Sequence, residues 1–180
     1  GSDADAIGHH GFFYHFFDME TGKRAAHSEI STIDTTFLLA GALTAAAYFD
    51  GDANEEREVR HLADGLYRGA DWQWALNGGR TVSHGWTPED GFLPWRWQGY
   101  AEAILLYVLG LGSPTHPLPE ESYAAWTETY EWRTLYGYDH LYAAPLFIHQ
   151  LSHVWVHFAG IHDEPMRAHE SASAENSRRA

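Results

Sequence analysis

Glu102 is the only acid in the run Gly91-Phe92-Leu93-Pro94-Trp95-Arg96-Trp97-Gln98-Gly99-Tyr100-Ala101-Glu102-Ala103, just behind two tryptophans, a guanidinium, an amide and a tyrosine. Flat apolar rings edged by a few polar groups suit sugar faces, and a carboxyl group beside them can protonate the bond joining two sugars. In this reading Glu102 is a general acid, and Trp86, Glu89, Trp95, Arg96, Trp97 and Tyr100 are saccharide contacts. The plainer reading makes the rings ordinary core and Glu102 half of a structural ion pair with Arg96. Asp34, a carboxylate near a helix N-terminus, reads from its position first as a residue that helps cap the helix, and only second as a partner acid. His149, His153 and His157 recur every four residues, a spacing able to grip a transition metal from one helical face. A histidine on an apolar helix is more often a hydrogen-bonded core residue, so neither metal nor other cofactor is expected.

The elements that must position these groups read as helix after helix. Ser31 to Asp50 places Ile33, Phe37, Leu38, Leu43, Ala46 and Ala47 largely along one side, behind Ser/Thr residues suited to capping. Asn54 can cap the next helix, with Glu55, Glu56 and Glu58 in its first turn and Val59, Leu62, Leu66, Tyr67 and Ala70 as its apolar face. The stretch from Asn77-Gly78-Gly79 to Pro94 is loop, with at most one short hairpin around Arg80 to Val82. A third helix is predicted from Trp97 to Leu111, apolar nearly all round. On such a helix Glu102 must be paired or kept in its protonated, proton-donating form. Further helices are predicted from Pro119 to about Glu131, from Pro145 to Phe158 and from Glu164 to Glu170, with Tyr136 to His140 as a turn. The fold class is all-α, with helical hairpins making about half of an (α/α)6 toroid. Residues 1–30 form an N-terminal aromatic segment, 31–170 the helical domain and 171–180 a mobile tail.

Bulk properties narrow the partners. At 44% apolar, 180 residues can bury a substantial core, and no apolar run approaches the roughly 20 residues of a membrane-spanning helix. A formal charge of −14 disfavours nucleic acid and anionic membrane surfaces, leaving a neutral glucan or oligosaccharide as the better ligand. The absence of cysteine excludes disulfides and thiolate nucleophiles. No leader is visible, and Gly1-Ser2 reads as a tag remnant. There is no P-loop, no dinucleotide-binding glycine turn and no G-x-S-x-G.

Four ordered motifs carry a resemblance: Gly11-Phe12-Phe13-Tyr14-His15-Phe16-Phe17-Asp18-Met19-Glu20-Thr21-Gly22; Ser28-Glu29-Ile30-Ser31-Thr32-Ile33-Asp34-Thr35; Trp97-Gln98-Gly99-Tyr100-Ala101-Glu102-Ala103 with Leu111-Gly112-Ser113-Pro114-Thr115-His116-Pro117; and Pro145-Leu146-Phe147-Ile148-His149-Gln150-Leu151-Ser152-His153-Val154-Trp155. Together they resemble the glycoamylase-like family that includes endo-β-1,2-glucanases and the matching domain of cyclic β-1,2-glucan synthases. The resemblance implies an (α/α)6 barrel, a periplasmic or secreted bacterial setting, metal-free action on β-glucan, most simply endo-β-1,2-glucan, and importance of the acids at Asp34 and Glu102. It also exposes departures. Trp155-Val156-His157-Phe158-Ala159 stands where the family shows Trp-Ile-Asp-Phe-Arg, and Ser171 to Arg178 replaces its Ser-Asp-Tyr-Phe-Glu-Asn-Ser-Arg. Three expectations follow: a glycoside hydrolase or a piece of one, a saccharide-binding module without chemistry, or a fragment that completes its barrel as a homo-oligomer.

Overall fold

The structure, a computed structural model, describes residues 7–169. The elements in chain order are β1 (Gly8–His9), β2 (Phe12–Phe13), β3 (Ile30–Ser31), α1 (Thr32–Tyr48), α2 (Asn54–Gly69), α3 (Trp72–Ala75), β4 (Gly85–Thr87), β5 (Gly91–Phe92), α4 (Ile104–Leu111), α5 (Glu121–Thr127), β6 (Trp132–Leu135), β7 (Tyr138–Leu141), α6 (Leu146–Gln150), a 3-10 turn (Leu151–Val154) and α7 (Glu164–Ala168). The strands make three antiparallel sheets, β1-β2, β3-β4-β5 and β6-β7. The all-α expectation, with its helical-hairpin toroid, is therefore corrected to a mixed α/β fold. These strands are two to four residues long, too short to print the alternating pattern by which a sequence announces a sheet. The expected mobile tail and the N-terminal tag remnant lie outside the described residues.

α1 forms as expected. Ser31 accepts the Asp34 N–H at 3.2 Å and donates its hydroxyl to Asp34 Oδ2 at 2.5 Å, closing the helix start. Its buried side differs from the expected stripe: Thr32, Thr35, Thr36, Leu39 and Ala40 face inward, while Leu38 is 49% exposed. The buried hydroxyls are tolerated because each has a partner: Thr35 accepts the Phe13 N–H at 2.9 Å and Thr36 donates to the Thr32 carbonyl at 2.7 Å. α2 runs beside α1, with Glu55 and Glu56 in its first turn and Arg68 in its last, where Asp64 pairs with it at 2.7 Å. Asn54 is its first helical residue rather than its cap, which is Ala53.

The third expected helix is shortened. Trp97 N–H donates to the Val82 carbonyl at 2.9 Å, Gly99 N–H donates to the Trp126 carbonyl at 3.0 Å, and Gly99 holds φ at +73°. With those amides engaged across the chain and Gly99 left-handed, α4 starts only at Ile104. Glu102 consequently sits in a turn, not on a helix. The turn expected over Tyr136 to His140 is confined to Tyr136 and Gly137, both at positive φ, and closes the β6-β7 hairpin, with Tyr138 to His140 paired in β7. α6 tightens into the 3-10 turn after Gln150, so His149, His153 and His157 share no continuous α-helical face.

The main core gathers Phe12, Ile30, Leu39, Trp72, Leu106, Tyr107 and Trp126, with Trp126 stacked on Tyr107 at 5.0 Å. A satellite core holds Tyr100, Leu141 and Met166. Among the described residues no helix is long and apolar enough to cross a membrane.

The hairpin that matters for the site is longer than its named strands. Ser83 bridges Arg96, His84 N–H donates to the Trp95 carbonyl at 3.0 Å, and Leu93 N–H donates to the Gly85 carbonyl at 2.9 Å, so residues 82–87 and 91–97 pair along their whole length. Thr32, the first residue of α1, ties this hairpin down. Its buried hydroxyl shares one hydrogen between the Ser83 and His84 carbonyls at 2.8 and 3.0 Å, and accepts the Trp97 indole N–H at 3.0 Å. Removing that hydroxyl leaves a buried carbonyl and an indole N–H unpaired. Thr32→Val is expected to lower unfolding free energy by about 2 kcal/mol in urea denaturation, with Thr32→Ser close to the parent. An unchanged Thr32→Val would show that the hydroxyl holds nothing.

Candidate functional site

The hairpin and the turn before α4 enclose an open cleft of about 540 Å³. Its lining includes His84, Trp95, Trp97, Gln98, Glu102 and Ile148, with Pro94, Arg96 and Ala101 contributing the rest. Trp95 is 63% exposed, which leaves most of its ring available to a ligand. Trp97 is fixed by Thr32 on one edge and carries the His84 ring stacked on it, centroids 3.9 Å apart and planes 24° apart. Glu102 brings a carboxylate to this lining, and among the described residues that carboxylate makes no hydrogen bond or ion pair. A flat ring, an amide, an imidazole and an uncommitted acid together can hold a polyhydroxylated ligand and exchange a proton with it.

Arg96 faces the other way from its expected partner. Its guanidinium donates to the Leu76 carbonyl at 2.8 Å, the Thr81 carbonyl at 2.5 Å and the Asn77 carbonyl at 3.4 Å. It closes the turn after α3 onto the hairpin, so the Arg96–Glu102 pair expected from the sequence is not made. The remaining expected contacts are dispersed. Tyr100 is buried against Tyr130 and His149 in the satellite core. Trp86 stacks on His9 at 4.5 Å and meets Trp74 edge-on, away from the cleft lining. Glu89 is held by Arg24 through two bonds of 2.7 and 3.0 Å, which keeps its carboxyl below the usual carboxylate range.

Asp34 does not line the cleft. Its side chain is 51% exposed, tied to Ser31, with its Oδ2 3.4 Å from His15 Nε2. The other nitrogen of His15 lies 2.8 Å from Glu29. Glu29 in turn packs over Gly85, the residue after His84, so this acid–imidazole–acid chain borders the hairpin on the side of α1.

His84 is the cleft residue that sequence reasoning passed over. No spacing marks it; only the hairpin register brings it against Trp97. Burial pushes its imidazole below the ordinary histidine value, and the Arg96 carbonyl pulls the other way. His149 is likewise pushed down by burial, beneath Tyr100.

These placements separate a clamp from a ligand wall. Arg96→Met is expected to cost about 2–4 kcal/mol of stability, because it strands carbonyls that the guanidinium now satisfies. Trp95→Ala should stay within roughly 0.5 kcal/mol of the parent. Urea midpoints in the reverse order would contradict both assignments.

Comparison with known proteins gives a consistent result. Residues 94–180 match the model of the family Glycoamylase, described as putative glucoamylase, beginning at the cleft's own Pro94-Trp95-Arg96-Trp97. An exo beta-1,2-glucooligosaccharide sophorohydrolase of Parabacteroides distasonis is 27% identical over 139 residues, covering 72% of this chain and 19% of that protein. A putative glucoamylase of Bacteroides uniformis superposes with a TM-score of 0.83 at 26% identity, over 99% of this chain and 46% of that one. An endo-beta-1,2-glucanase from Chitinophaga pinensis, solved with sophorotriose and glucose, gives 0.68 at 24% identity over 81% of this chain and 39% of that one, a likeness of fold alone. The chain thus spans less than half of the solved chains and about a fifth of the curated relative. The glycoamylase-like resemblance read from the sequence is borne out.

Proposed function

We infer, taking the chain as a glycoamylase-like protein, that it forms part of a glycoside hydrolase acting on β-glucan, with β-1,2-linked glucan as the substrate. The observation that carries this is the Glu102 carboxylate, without a partner among the described residues, in a cleft walled by Trp95 and Trp97. The name of the curated relative supports the linkage. Trp95 presents its ring face to a glucose unit, Trp97 meets the sugar at its edge behind His84, Gln98 reads hydroxyls, and Glu102 is the general acid. Its proton passes to the glycosidic oxygen as the bond to the anomeric carbon breaks, and water adds to that carbon while losing a proton to a second carboxylate. Asp34, which stands outside the cleft lining, is the proposed second carboxylate and takes that proton through an intervening water, with His15 and Glu29 behind it.

One observation favours a second reading. Glu102 is the only carboxylate among the described residues that line the cleft. A saccharide-binding piece without turnover needs no more than that.

A product assay on linear β-1,2-glucan separates the two. The parent is expected to release oligosaccharides, and Glu102→Gln to release them about 10² to 10⁴ times more slowly. Equal rates would remove Glu102 from the chemistry. No product from either protein, with saccharide affinity kept in Glu102→Gln, would establish the binding module.

A further inference from the structure

We propose that His84 is a saccharide ligand of the cleft, with its ring locked against Trp97 and a ring nitrogen accepting a hydrogen bond from a glucan hydroxyl. The proposal rests on the cleft being a saccharide site and adds to Glu102 and Gln98 a further polar group that selects the ligand.

His84 is held from several directions. Its N–H donates to the Trp95 carbonyl at 3.0 Å, and its own carbonyl accepts from the Thr32 amide at 3.2 Å and the Thr32 hydroxyl at 3.0 Å. Its ring lies 3.9 Å from the Trp97 ring, which the same Thr32 hydroxyl fixes through the indole nitrogen. One face of the imidazole is thus covered while the residue still lines the cleft. A group immobilised before the ligand arrives loses little conformational freedom on binding.

The ring is also suited to accept. Its half-buried position favours the neutral form, and the Arg96 carbonyl near the ring favours a proton on the nitrogen facing it. The second nitrogen is then a lone-pair acceptor. Beside the Glu102 carboxylate, an acceptor welcomes hydroxyl donors and repels carboxylate or phosphate groups on a ligand. Among the described residues, the charged groups that line the cleft with His84 are Glu102 and Arg96, whose guanidinium is turned to the Leu76 and Thr81 carbonyls, and Glu29 packs over the neighbouring Gly85.

The sign of the pH effect follows. The imidazole of the folded protein titrates below its ordinary value of 6.5. The acceptor is therefore present at neutral pH and is lost as pH falls through that lowered value, when the nitrogen becomes a donor.

Calorimetric titration with a β-1,2-linked glucooligosaccharide, run at about pH 7.5 and at the lowest pH at which the protein stays folded, in the Glu102→Gln background, tests this. That background slows turnover enough for binding to be read and removes the Glu102 carboxyl from the comparison. Adding His84→Phe keeps a flat ring on Trp97 and removes both nitrogens; affinity is expected to fall about 10-fold at the higher pH and to lose its pH dependence. His84→Gln supplies an amide oxygen that accepts at either pH, so affinity should be retained with the pH dependence gone. If His84→Phe fails to fold, the His84→Gln result decides alone. Affinity and pH dependence unchanged in His84→Phe, or a pH dependence that persists in His84→Gln, overturns the assignment of His84 alone. No binding by the folded Glu102→Gln protein at either pH overturns it together with the saccharide reading.

Discussion

The Thr32 hydroxyl is the point on which the geometry of the cleft depends. It holds the Ser83 and His84 carbonyls and the Trp97 indole at the mouth of α1, where the helix start is already defined by Ser31 and Asp34. Through that one buried group a long helix, an irregular hairpin and the aromatic wall share a single frame. A hydroxyl can do this because it donates and accepts at once, and because burial strengthens bonds whose loss cannot be made good by water.

Arg96 completes the frame from the opposite edge. Its fork gathers three backbone carbonyls from the turn after α3, so the strand carrying Trp95 and Trp97 is fixed against that turn as well as against α1. A cationic side chain in an aromatic run therefore serves the backbone, while the acid it was expected to pair with is left facing the cleft. The same division recurs with Arg24, which donates to the Ser28 carbonyl at 2.6 Å and the His27 carbonyl at 2.8 Å while pairing with Glu89. Two of the acids and bases most visible in the sequence are thus structural, and the cleft is left with Glu102 and His84.

How much of this was legible in the sequence depended on range. α1 and α2 were legible as helices, because the Ser31 cap and the first-turn acids of α2 are local signals that survive into the fold, while the expected apolar stripe of α1 and the Asn54 cap of α2 gave way to tertiary packing. The strands were not: Ile30 pairs with Trp86 and Gly8 with Phe13, and two-residue partners leave no period to detect. The helix expected from Trp97 failed because the amides of Trp97 and Gly99 are taken by Val82 and Trp126, partners remote in sequence. Glu102, Trp95 and Trp97, singled out by residue type and closeness in the chain, do line one cleft. His84 was not legible, since its neighbour Trp97 is set by hairpin register, and Trp86 and Tyr100 were drawn into aromatic packing that composition could not distinguish from a ligand wall.

The measurement that tests the central claim most directly is backbone hydrogen–deuterium exchange with and without a saturating β-1,2-linked glucooligosaccharide. The account predicts added protection concentrated at residues 82–86 and 94–102, the two arms of the hairpin and the turn bearing Glu102, with α2 unchanged. Protection centred on the β6-β7 hairpin instead, or none at all, would contradict a saccharide cleft built on the Thr32 frame.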